Sequence, residues 1–181
     1  MKLGVDIGGV IIDRVNDGED TSFFGGHYLR TPPVPGALGA LEVLAQGPFR
    51  ARPPFGFVAP SPGDSPGAFA GAIWVVSKCG KTTERKTREW LAHHRFHERC
   101  GVPVKNLLFC RKRHEKGPLC EELGITHFVD DSLEVLSCMP SVPHRYLFRP
   151  HEEEVAAFRK HLAGVTRVET WTELQALLLG C

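Results

Sequence analysis

Lys2-Leu3-Gly4-Val5-Asp6-Ile7-Gly8-Gly9-Val10 is the stretch on which the fold turns. A short apolar run ends in a carboxylate and then a glycine pair, the pattern of a buried strand entering a tight loop. Asp6 therefore stands at the strand's carboxyl end. Ile73-Trp74-Val75-Val76 is a second such run and leads into Ser77, and Leu107-Leu108-Phe109-Cys110 is a third. His127-Phe128-Val129-Asp130 and Arg145-Tyr146-Leu147-Phe148 follow, with Thr166-Arg167-Val168 as a sixth.

Helical patterns lie between these runs. Pro35-Gly36 introduces one whose apolar face is Leu38, Leu41, Val43 and Leu44. Thr82 or Thr83 caps the next, which extends to about Arg99 with Trp90, Leu91 and Phe96 among its apolar positions. Pro118 to Leu123 reads as a short helix stopped at Gly124, and Glu152 to Leu162 as another. Thr170-Trp171-Thr172-Glu173 has the form of a capping box opening a last helix. Strands alternating with helices predict right-handed crossovers and an α/β fold with a mainly parallel, doubly wound sheet. Such a sheet takes its ligand beyond the carboxyl ends of the strands.

The 181 residues suit one domain, 1–181. Residues 13–31 read as a polar, glycine-rich loop, and 47–71, rich in Pro, Gly and Ala without a sustained period, as a surface loop or insertion. The 22 Lys and Arg nearly balance the 21 Asp and Glu, so composition makes no case for nucleic acid or an anionic membrane as partner. No charged leader precedes an apolar stretch, and no apolar run is long enough to span a bilayer, so the expectation is a cytoplasmic protein. The six cysteines show no CxxC pairing and are expected as free thiols. His93, His97 and Cys100 would share a helix face, three of the four ligands of a zinc site, but hydrogen-bonded, partly buried side chains are the commoner fate of such residues.

The strand ends select the chemistry. Asp6, Ser77 and the pair Asp130-Asp131 converge on one place. Carboxylates packed together repel one another unless something positive sits between them, and a hard cation with oxygen ligands, Mg2+ above all, suits that role. Magnesium prefers few carboxylates plus a substrate phosphate, so a phosphate is the expected second guest. Ser77 can donate to a phosphate oxygen and Lys116 can supply positive charge. Each residue also has a plain structural role open to it: Ser77 and Asp130-Asp131 as caps, Lys116 as a solvated lysine.

In order and context these residues resemble the motifs of the haloacid dehalogenase superfamily. Asp6-Ile7-Gly8-Gly9-Val10 is similar to its opening strand-D-x-D-x-[TV], and Val75-Val76-Ser77 to its strand ending in Ser or Thr. Lys116 matches its lysine, and Phe128-Val129-Asp130-Asp131 its apolar strand ending in acids. The resemblance covers Lys2 to about Phe148. It implies a three-layer Rossmann-like fold and a nucleophilic Asp6 that forms an aspartyl-phosphate. It also implies Mg2+ held by Asp6, the Gly8 carbonyl and Asp130 or Asp131, with Ser77, Lys78, Gly9 and Lys116 around the phosphoryl group. No cap domain is evident between the motifs. In that family a capless site goes with bulky substrates, often proteins or nucleic acids, or with a neighbouring subunit as lid.

One position departs from the pattern. The family's phosphatases carry a second aspartate two residues after the nucleophile, which protonates the leaving oxygen and then activates water; here it is Gly8. Proton transfer of this kind is worth about 10²–10⁴ in rate. Asp13, a loop histidine such as His27, or the substrate itself is left to supply the proton. Two other readings follow from the same residues. Gly4-Val5-Asp6-Ile7-Gly8-Gly9 also resembles the first phosphate loop of sugar kinases with the actin-like fold, but those need two domains and a second phosphate motif, for which the chain is too short. A catalytically degenerate fold that binds a phosphorylated ligand or protein partner accounts for Gly8, whereas converging carboxylates have no purpose in a mere scaffold.

Overall fold

The computed structural model describes residues 1–14, 23, 25–47 and 67–180. Its centre is a six-stranded sheet: β1 (Leu3–Val5), β2 (Ile73–Lys78), β3 (Leu107–Cys110), β4 (His127–Asp130), β5 (His144–Phe148) and β6 (Thr166–Val168). The order is β3-β2-β1-β4-β5-β6 and every pairing is parallel. The chain winds outward from β1 through β2 to β3, then returns to the other side of β1 for β4, β5 and β6. The switch of direction between β1 and β4 opens a crevice at the carboxyl ends of both.

Apolar residues fill both faces of the sheet, as a parallel sheet requires. On one face Leu3, Val5, Val75 and Val129 pack against α1 (Ala37–Gln46), α2 (Lys81–His93), α3 (Phe96–Cys100) and α7 (Trp171–Leu179). On the other, Val76, Phe128 and Leu147 pack against α4 (Lys116–Leu123), α5 (Leu133–Ser137) and α6 (Glu152–Ala157). The result is three layers, helix, sheet, helix. Among the described residues no helix is long and apolar enough to cross a membrane.

Several boundaries differ from the sequence reading. The helix expected from Thr82 or Thr83 to Arg99 is two helices, capped by Gly80 and broken at Arg95, which takes a left-handed φ of 52°. The cause is Phe96. In an unbroken helix it would lie about 140° around the axis from Leu91; the break turns it into the core, where both are fully buried. The same break separates the supposed zinc ligands. His93 ends α2, His97 is hydrogen-bonded through Nδ1 to the Val102 carbonyl at 2.8 Å, and the buried Cys100 thiol donates to the Leu38 carbonyl at 3.5 Å. These three form no metal-holding group among the described residues.

Residues 152–162 form α6 followed by a 3-10 stretch, Arg159–Gly164, instead of one helix. The turn at Ser132 is the cap of a real helix, α5, with Ser132 Oγ accepting from the Val135 N–H at 3.3 Å. At α7, Thr170 Oγ accepts from the Glu173 N–H at 3.1 Å, while the Glu173 carboxylate accepts from the Glu169 N–H, one residue earlier than in the expected box. Most of the segment 47–71, and residues 15–22 of the earlier loop, lie outside the described residues.

Candidate active site

Register brings the first two acids level. Val5 pairs with Val129, and the Asp6 N–H continues the ladder by donating to the Val129 carbonyl at 2.9 Å, so Asp6 stands beside Asp130 at the switch crevice. One oxygen from each of Asp6, Asp130 and Asp131 lies within 4.8 Å of the others.

Lys116 fixes two of them. Its ammonium, almost wholly buried, donates to Asp6 Oδ1 at 2.6 Å and to Asp130 Oδ2 at 2.8 Å. Lys116 is the first residue of α4 rather than a residue ahead of it. Gly117 permits that docking, because a Cβ there would collide with the Cys138 carbonyl. The other oxygen of Asp130 accepts from the Ser132 N–H at 3.0 Å, and Ser132 Oγ donates to Glu154 Oε1 at 2.6 Å, tying the acidic turn to α6. Burial pushes the Asp130 carboxyl above the usual carboxylate range; the Lys116 ammonium opposes this and the Asp6 charge adds to it. Lys116 itself is held more firmly protonated than an ordinary lysine, since two carboxylates together outweigh the cost of its burial. The two shifts are not mirror images because one ammonium is shared by two acids.

Asp131 is held differently. It is less buried and forms an ion pair with Arg14, which also meets His151 Nε2 at 2.6 Å. Both Asp131 and Arg14 lie over Gly9, whose φ of 75° and lack of Cβ make room for them. Three carboxyl groups thus face two cations.

Above it opens a cavity of about 370 Å³, lined by Asp6, Gly8, Gly9, Ser77, Lys78 and Asp131 among others. The structure brings Asp6, Ser77, Lys78, Gly8, Gly9 and Asp131 to one opening. Lys116 and Asp130 do not line it; they sit behind Asp6. Asp13 lines the cavity, but its Oδ1 accepts from the Arg14 N–H at 2.9 Å and from Arg149 at 3.3 Å. His27 is exposed and does not line it.

Arg14, Thr83 and Thr87 also line the cavity, and the sequence marks none of them as a site residue, Thr83 being expected only as a helix cap. The threonines carry a legible signal, an i, i+4 pair on the helix that follows Ser77. Arg14 carries none, since its place depends on the path of the loop after Asp6.

The donor set suits a hard divalent cation: carboxylates from Asp6, Asp130 and Asp131 within reach of one another, and the Gly8 carbonyl, which accepts no backbone hydrogen bond among the described residues.

No protein-family model and no curated protein matches the chain. Among solved structures it is similar to a haloacid dehalogenase-like hydrolase from Burkholderia xenovorans LB400, with a TM-score of 0.45 and 17% identity over 79% of this chain and 57% of that one. The chain therefore spans a little over half the length of that protein.

Proposed function

We propose that the protein is a phosphohydrolase of the haloacid dehalogenase type, with Asp6 as nucleophile. The observation that carries this reading is the buried Lys116 ammonium clamped between Asp6 and Asp130, with Asp6 on the wall of the open cavity. Lys116 holds Asp6 through Oδ1 and aims it. Among the described residues only Oδ1 is engaged, which leaves Oδ2 for attack on phosphorus. The P–O bond to the leaving group breaks as the Asp6–phosphorus bond forms, and water then releases phosphate from the aspartyl-phosphate. Ser77 holds the phosphoryl oxygens on the cavity wall and Lys78 adds charge from the rim, while the Gly9 N–H, expected to join them, donates instead to the Ile12 carbonyl at 2.8 Å. Asp6, the Gly8 carbonyl and Asp130 or Asp131 would hold Mg2+, which when bound supplies the positive charge that offsets the phosphoryl oxygens. With no cap domain among the described residues, such a site would admit a bulky phosphorylated substrate.

Gly8 favours a second reading, a fold that binds a phosphorylated ligand without turning it over. Phosphate release from a broad panel of phosphoesters, phosphoproteins and nucleotides, with and without Mg2+, separates the two. The hydrolase reading expects magnesium-dependent release that Asp6→Asn abolishes. Release no greater than that of Asp6→Asn on every substrate would leave the binder.

A further inference from the structure

Gly8 is more than a missing acid, because the space an acid would fill is open. The residue lines the same cavity as Asp6, and a Cβ built on it meets nothing within 4 Å. Its φ lies outside the left-handed range that excludes side chains, so the backbone would accept aspartate there. Of the other acids on the cavity wall, Asp13 already accepts from Arg14 and Arg149, and Asp131 is paired with Arg14. Facing the same space is Lys78, exposed at the end of β2 and without an ion pair among the described residues. Thr87 lines the wall with it.

A phosphoryl donor must part with its leaving oxygen and the bonding electron pair. If that oxygen belongs to an aliphatic alcohol, the anion is about as basic as hydroxide, whose conjugate acid has a pKa near 16, and it needs a proton as it leaves. A carboxylate, with a pKa of about 4, or a phosphate, with a second pKa of about 6, needs none. It needs a cation to receive it.

Resting on the hydrolase reading, we infer that the substrate is an acyl phosphate or a phosphoanhydride, a phosphoryl group on an oxyanion stable without protonation, with Lys78 receiving the departing anion. Asp6 Oδ2 bonds to phosphorus, the P–O bond to the leaving group breaks, and the leaving group departs unprotonated with both electrons. Water then adds to phosphorus, the Asp6 carboxylate is released, and the proton passes to solvent.

The test is a leaving-group series measured in Mg2+: acetyl phosphate, pyrophosphate, phenyl phosphate and glycerol phosphate, with wild type, Gly8→Asp, Lys78→Ala and Asp6→Asn. Read as kcat/KM, which stops at phosphoryl transfer to Asp6, wild type is expected to favour acetyl phosphate or pyrophosphate over glycerol phosphate by at least about 100-fold, with phenyl phosphate between. Gly8→Asp is expected to raise kcat/KM for glycerol phosphate by a similar factor while moving that for acetyl phosphate little, its activation of water in the shared second step showing in kcat alone. Lys78→Ala should slow acetyl phosphate and pyrophosphate. Preference for acetyl phosphate over pyrophosphate assigns the acyl source, and the reverse the anhydride.

Asp6-dependent release with equal kcat/KM across the wild-type series would overturn this inference and leave the hydrolase standing, whether or not Gly8→Asp folds. Absence of Asp6-dependent release from every substrate, with wild type and Gly8→Asp alike, would overturn both.

Discussion

Strand β4 carries a buried polar residue at each end, and the two are accommodated in opposite ways. At the amino end, His127 stays uncharged. Its ring stacks on His144 of β5 at 4.4 Å, meets Phe69 edge-on at 5.4 Å, and is hydrogen-bonded through Nδ1 to Thr126 Oγ1 at 2.8 Å. Burial, aided by the positive charge His144 can carry, lowers its pKa to about 4. At the carboxyl end, Asp130 keeps its place only beside a counter-charge, in a cluster with more carboxylates than cations. One end of the sheet resolves burial by neutrality, the other by pairing. Pairing leaves charge available for chemistry and costs stability when any partner is lost.

The contrast breaks most visibly at Lys116. Lys116→Met keeps the volume but strands Asp6 and Asp130 in a buried site, and urea unfolding at neutral pH should show a loss of about 3–5 kcal/mol. A loss below about 1 kcal/mol would mean that the carboxyl end does not depend on its counter-charge.

Acid probes the other end. The folded pKa of His127 lies below the ordinary histidine value of about 6.5, so only the unfolded chain takes up a proton as the pH falls through that value. Stability contributed by the neutral ring is whole above about pH 6.5. It is lost progressively down to about pH 4, by on the order of 3 kcal/mol, and the loss levels off below. His144 and the Met1 amino group act on the same ring. His127→Phe should therefore flatten this part of the stability profile, read by denaturation at stepped pH; an unchanged slope would remove His127 from the account.

The smallest effect belongs to the support of the acidic turn. Ser132→Ala loses both the cap of α5 and the bond to Glu154, and should lower unfolding free energy by roughly 1 kcal/mol.

Much of this architecture is legible in the residues themselves. The strands at Leu3, Ile73, Leu107, Phe128 and Tyr146 are apolar on both faces, which only a sheet covered by helices on both sides satisfies, and their last residues mark the crevice. Asp6, Ser77 and Asp130-Asp131 follow from that rule. Lys116 is legible as a nearby positive charge, but its burial behind Asp6 depends on how closely Gly117 lets α4 approach Cys138, a contact between segments about twenty residues apart. Arg14, Asp13 and Arg149 meet through loops whose course no periodicity encodes. The break at Arg95 escapes because Thr82 to Arg99 is individually helix-compatible, and only core packing decides where Phe96 must point.

The Lys116–Asp6 bond joins residues 110 positions apart. If Asp6 is the nucleophile we propose, neither β1 nor α4 can prepare it alone, and during synthesis Asp6 emerges long before its cation does. Until the later helix docks, Asp6 lacks the ammonium that positions it. On that reading reactivity is a property of the finished chain, and local opening of α4 would switch it off before the sheet came apart.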